Sequence, residues 1–142
     1  REEPIIGDAS LNYVYLRYAD ILLMKAEALN ELNRTSEALA PLNQVRKRAR
    51  ESYLYDEGLE NFGVIPANLL PDVSGTQVQV REAIRHERRV ELGFEFHRYF
   101  DLMRYGQAAA ETALGSTGFN YAEHRYFLIP QSEIDTNTAI DE

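Results

Sequence analysis

The chain has 142 residues, a formal net charge of −8 and no cysteine. That length supports one hydrophobic core, and the acidic balance argues against nucleic-acid binding, which needs a basic stripe. Without cysteine there is no disulfide, thiol nucleophile or thiolate metal site, and no apolar run approaches the roughly 18 residues of a membrane-spanning helix.

Residues 1–11 hold Pro4, Gly7, Asp8 and Ser10 and read as a linker whose polar start suggests a cut from a longer protein. Residues 12–50 predict a helix pair. In the first helix, capped by Ser10 or Asn12, Leu16, Ala19, Leu22, Leu23, Ala26 and Leu29 make a wide apolar face. Arg17, Asp20, Glu27 and Glu31 make a narrow polar stripe opposite. A face that wide packs against more than one neighbour. After a turn at Asn33–Ser36, Thr35 or Ser36 can cap a second helix that turns Ala38, Leu39, Leu42 and Val45 inward. It closes in the basic run Arg46–Arg50, which complements the helix dipole. Two antiparallel helices with Ala26 and Ala38 at their contact are TPR-like, although Pro41 falls inside the second helix and predicts a kink.

Residues 51–77 lose all periodicity and predict a long loop, with a short helix near Ala67–Leu70. Long loops inside compact domains are often functional. Tyr53, Tyr55 and Phe62 could stack on sugar rings, or could simply pin the loop to the helices, and the second reading carries more weight.

Residues 78–106 predict a long helix that bends near Gly93–His97 and ends at Gly106, a suitable C-cap. At about 100° per residue, Val80, Ala83, Ile84, Val90 and Phe94 fall on one side, together with Glu87 and Glu91. Carboxylates in an apolar stripe need cationic partners. The expected network joins Glu87 and Glu91 to Arg46 of the second helix and to Arg98 or Arg104 beyond the bend. Residues 107–142 predict one short alanine-rich helix, a turn at Gly115–Gly118, an extended stretch over Tyr126–Pro130 and an irregular tail.

No catalytic constellation emerges. His86-Glu87 opens like a zinc-protease helix, but Val90 stands where the second histidine belongs. Glu87, Glu91 and Glu95 lie on successive turns of one helix among arginines. Glycosidase carboxylates instead flank the scissile bond from opposite sides. No glycine-rich phosphate loop or nucleophile elbow is present, so the expectation is a non-enzyme without metal or cofactor.

Three stretches carry a resemblance: E-R-R-V-E-L-G-F-E-F-H-R-Y-F-D-L-M-R-Y-G (Glu87–Gly106), L-R-Y-A-D-I-L-L-M-K-A-E-A-L-N-E (Leu16–Glu31) followed by N-Q-V-R-K-R-A (Asn43–Ala49), and F-L-I-P-Q-S-E-I-D-T-N (Phe127–Asn137). In order and spacing the chain resembles the C-terminal part of SusD/RagB proteins, Bacteroidetes outer-membrane lipoproteins that capture nutrients. The resemblance implies a mainly α fold: the TPR-like pair, a long loop, a long bent helix and an irregular tail. It also implies oligosaccharide or other nutrient capture beside a TonB-dependent, SusC-like transporter, at the cell surface of the outer membrane. The signal peptide and lipid anchor would lie outside this chain. The alternative is a helical-repeat scaffold that holds a peptide or protein in a groove.

Overall fold

A computed structural model describes residues 14–60, 62–137 and 139. Among them are seven α-helices and no strand, so the fold is mainly α. The molecule divides into two compact units, Arg1–Phe96 and His97–Glu142.

In the first unit, α1 spans Tyr18–Glu31 and α2 spans Thr35–Glu51. The first helix starts later than the sequence pattern suggests: Arg17, in extended backbone, is its N-cap, and the candidate caps Ser10 and Asn12 lie outside the described residues. Asp20 in the first turn faces the positive end of the helix dipole. The helix ends in a Schellman motif. Asn33 takes the left-handed conformation (φ 60°), its N–H bonds to the carbonyl of Asn30 and the N–H of Arg34 reaches that of Leu29. The chain therefore reverses within three residues and α2 returns along α1. Neither Thr35 nor Ser36 is the cap of α2. That position is Arg34, which makes no side-chain capping bond.

The core explains the pairing. Leu22, Leu23 and Ala26 of α1 meet Ala38, Leu42 and Val45 of α2, and both alanines are fully buried, which lets the two backbones approach closely. Pro41 sits buried inside α2, where its missing N–H leaves the carbonyl of Glu37 without its usual helical donor. The third wall is α3, Gln77–Glu91, which adds Val80 and Ile84, with Leu92 just beyond its end. Its start is a capping box: Gln79 N–H donates to Thr76 Oγ1, and Thr76 N–H donates to Gln79 Oε1 at 2.9 Å.

Between α2 and α3 the chain makes a 3-10 turn over Ser52–Leu54 and then turns and extended backbone. The short helix expected near Ala67–Leu70 is absent. Asn68 (φ 62°) and Leu70 (φ 45°) are left-handed, which breaks any right-handed helix there, and a single turn closed by Leu69 N–H on the Pro66 carbonyl remains.

The bend expected near Gly93–His97 is a full break in the helix. The chain forms two helices, α3 and α4 (His97–Tyr105), joined by a turn over residues 92–96. Gly93 is not the residue in the unusual conformation. Phe94 (φ 64°) and Phe96 (φ 63°) are left-handed, a strained state for bulky residues that persists only where surroundings fix it. Val90 and Phe94, expected on the inner face, are exposed, and Arg88 is buried instead.

The second unit contains α4, α5 (Gln107–Leu114), α6 (Tyr121–His124) and α7 (Gln131–Thr136). Gly106, at φ 94°, links α4 to α5 in a conformation open to glycine. Leu102 and Ala110 are its buried apolar residues, and Asp101 is buried beside them. Tyr99, Phe100 and Phe127 form a ring cluster with centroids 5.3–6.4 Å apart, and the Tyr99 hydroxyl donates to the carbonyl of His124. The tail expected to be irregular thus contains two short helices, one started by the Asn120 side chain accepting from Ala122 N–H.

Candidate functional site

The polar groups that stand out in the first unit form an arginine–carboxylate lattice between its three helices. Glu87, on the inward face of α3, has a side chain only 5% exposed, and Arg46 Nη1 of α2 meets its Oε2 at 2.6 Å. One turn later Glu91 Oε1 accepts from Arg17 Nη1 at 2.6 Å and from Arg48 Nη2 at 2.5 Å. Arg17 spans further: its Nη2 donates to the Glu91 carbonyl, and its Nε donates to both oxygens of Glu95 at 2.8–2.9 Å. Bonding to Glu95 first, then to Glu91, raises the Arg17 pKa against the opposing effect of burial. Arg17 therefore fixes α1 against both the end of α3 and the turn beyond it. Phe94 and Phe96, both in left-handed backbone, lie on either side of Glu95.

A second pair is more deeply buried. Arg88 Nη1 and Asp20 Oδ1 lie 2.7 Å apart with both side chains 5% exposed. Toward the outside, Arg81 holds both oxygens of Glu31 at 2.6 Å, which lowers the Glu31 pKa and raises that of Arg81. Asn30, fully buried at the end of α1, exchanges two bonds with Gln77: its Nδ2 donates to the Gln77 carbonyl, and Gln77 Nε2 donates to its own.

The structure brings together some of the residues singled out in the sequence and separates others. Arg46 and Glu87 meet. Glu91 is held by Arg17 and Arg48, in the places expected of Arg98 or Arg104. Those two belong to α4 of the second unit, where Arg104 Nη2 binds Asp101 Oδ1 at 2.9 Å. Asp20, expected on the solvated stripe, is buried. It lies three residues before Leu23, on the adjoining ridge of the same helix, and that spacing was the available signal. Among the loop aromatics, Tyr55 and Phe62 are exposed and Tyr53 is half-buried. A cavity of about 280 Å³ borders the lattice, lined by Arg17, Tyr18, Ala19, Leu22, Gln44 and Arg48. None of the three loop aromatics reaches it.

Chemically the lattice is closed. Glu87, Glu91 and Glu95 each accept from arginine, so their oxygens are already occupied and they are poor candidates for acid–base work. No group of three or more His, Cys, Asp or Glu among the described residues could hold a metal ion. The lattice has the properties of a rigid joint between helices.

Comparison with known proteins places this joint in a lineage. The sequence model of the SusD family matches residues 6–142. The chain belongs to the SusD family. Its relatives include three proteins of Formosa agariphila. SusD-like protein P2 is 34% identical over 128 residues, covering 87% of this chain and 23% of the relative. SusD-like protein P38 is 39% identical over 107 residues (74% and 19%), and SusD-like protein P25 is 38% identical over 97 (67% and 15%). The chain thus matches less than a quarter of the length of these SusD-like proteins. Within this SusD-family chain, two of the three quoted stretches build the joint: Leu16–Glu31 with Asn43–Ala49 behind it supplies Arg17, Asp20, Arg46 and Arg48, and Glu87–Gly106 supplies the carboxylates and Arg88.

Proposed function

We propose that this chain serves nutrient capture, with glycans as the ligand class, as part of a SusD-like surface lipoprotein that works beside a TonB-dependent transporter of the outer membrane. The observation that carries the reading is the match to the SusD family across residues 6–142. The lattice fits a supporting part in it: each carboxylate that might have done chemistry is held by arginine, and the helices are cross-tied by side chains from three directions. The role is therefore binding without catalysis. No described helix is long and apolar enough to cross a membrane, and the proposed attachment is a lipid anchor outside this chain. Tyr53, Tyr55 and Phe62 remain the proposed ligand contacts, on the ground that Tyr55 and Phe62 present open ring faces. The alternative, a repeat scaffold holding a peptide, has only the α1–α2 pair in its favour.

The test is a glycan-array screen of a family-length protein containing this chain, followed by titration of each hit. Saturable binding to an oligosaccharide, weakened by Tyr55→Ala, supports both the role and the contact. Binding unaffected by Tyr55→Ala and Phe62→Ala removes the loop from the site. Failure of every glycan, with saturable binding of a peptide, favours the scaffold.

A further inference from the structure

The connection between α2 and α3 is tied down by a stripe on α2. Asn43, Arg46 and Arg50 follow at intervals of three and four residues, so they share one helix face. Each reaches the main chain of the run Leu70–Val73, which has no regular secondary structure and opens at left-handed Leu70. Asn43 Nδ2 donates to the Val73 carbonyl at 3.0 Å, and Val73 N–H donates back to Asn43 Oδ1 at 2.7 Å. Arg46 Nε and Nη2 both donate to the Pro71 carbonyl, at 3.1 and 3.0 Å. Arg50 Nη1 donates to the Leu70 carbonyl, and its Nη2 pairs with Asp72 at 2.9 Å.

Two features set this apart from ordinary loop packing. Apart from Asp72, every one of these bonds is to backbone, so the hold depends little on the side chains of the strap. The segment also runs antiparallel to α2, with Val73 against Asn43 and Leu70 against Arg50, so three side chains engage three positions of the strap in register. Arg46 has a second duty, since its Nη1 is the partner of buried Glu87 on α3. Its guanidinium therefore joins the strap to the lattice.

We infer that α2 carries a main-chain clamp, that residues 70–73 are its resident occupant, and that this strap opens as a unit while α1, α2 and α3 stay folded. Leu70, Pro71 and Asp72 contribute nothing to the apolar core of the first unit, and only Val73 packs against it. Its hold is therefore mostly polar and local, as expected of a segment that opens below the free energy of global unfolding. The inference is independent of the nutrient-capture reading.

The Val73 amide is a direct reporter, because its hydrogen bond ends on the Asn43 side chain. Hydrogen exchange is followed in the whole chain for the wild type, Asn43→Ala and Asn43→Asp. Asn43→Ala should speed exchange at Val73 about tenfold or more, while the amides of Leu23, Leu42 and Ile84 keep their wild-type rates. Asn43→Asp retains an acceptor and should exchange at Val73 more slowly than Asn43→Ala. An unchanged Val73 rate in Asn43→Ala would overturn the clamp. Acceleration of the core amides in step with Val73 would overturn the separate opening, and equal rates in the two variants would remove the carboxamide oxygen from its assigned role.

Discussion

Replacing Arg88 with methionine should be among the most damaging single changes in the first unit. The substitution keeps much of the side-chain volume and deletes the charge, so the apolar stem still packs and the effect reports on electrostatics. Asp20 then remains 4% exposed with its ion-pair partner gone. Removing one member of a buried pair costs about 3–5 kcal/mol, against a total stability on the order of 5–15 kcal/mol for a domain. In urea, with a slope of about 1–3 kcal/mol/M, the midpoint should fall by roughly 1–5 M. Two further variants separate pair from packing. Arg34→Ala breaks the exposed Arg34–Glu37 pair and should leave the midpoint where it is. Asp20→Leu combined with Arg88→Met removes both charges and should recover most of the loss, because a well-packed apolar replacement for a buried pair is often neutral or better. A loss for Arg88→Met no larger than that of Arg34→Ala would refute the reasoning. So would a double variant no more stable than Arg88→Met alone, since the loss would then not come from the uncompensated charge of Asp20.

Glu91→Ala should lower stability by about 1–3 kcal/mol, less than Arg88→Met because Arg48 can return to solvent and Arg17 keeps Glu95. Glu111→Ala, at an exposed position bonded only locally to Gln107, should stay within about 0.5 kcal/mol, and equal small effects for the two would dissolve the lattice argument. Glu31 gives a pH signature. Arg81 holds its pKa below the ordinary 4.5, so its contribution is fully present above pH 4.5 and fades as the pH falls through the depressed value. The stability gap between wild type and Glu31→Gln should therefore be flat at neutral pH and close in acid, and a gap that widens in acid would reverse the assignment. No reducing sugar should be released from a polysaccharide panel. Release that Glu95→Ala abolishes would contradict the occupied-carboxylate argument.

What could be read from sequence followed the apolar periodicity. Leu22, Leu23, Ala26, Ala38, Leu42 and Val45 form the buried contact that their spacing suggests, because burial of apolar area is the main driving force of folding and its period sets the packing face. Charged partners were harder to read. A glutamate in an apolar stripe announces that a cation must come, but which arginine arrives depends on how helices meet. Glu91 took Arg17, more than 70 residues away in sequence, over the nearer Arg98. The turn at 92–96 lies where the bend was expected, near Gly93–His97. Gly93 is the weak helix former there, yet the left-handed residues are Phe94 and Phe96, a choice that local propensity does not contain. The clamp proposed on α2 was hidden too: Arg46 reads as the partner of Glu87, and the spacing of Asn43 and Arg50 does not say that residues 70–73 lie on them.

The outer surface of α1 yields the last prediction. Tyr15 is 80% exposed and Leu16 56%, just ahead of the helix, and Tyr18, Ile21 and Met24 follow at intervals of three, at 66%, 40% and 42%. The opposite side of the same helix is already used by Leu22, Leu23 and Ala26 against α2 and α3, so α1 is apolar on two sides and buried on one. Large contiguous apolar patches are uncommon on soluble monomers and mark an interface. The SusD-like relatives are more than four times longer than the stretch they share with this chain, and the proposal is that the remainder of such a protein covers this side of α1. The 142-residue chain alone should then bind an apolar dye and sediment as concentration-dependent oligomers. Tyr18→Glu with Met24→Glu should return it toward monomer without loss of helix, since neither side chain contributes to the buried core. A monodisperse monomer with a cooperative melt and no dye binding would mean that α1 needs no further partner and that these residues form a complete domain.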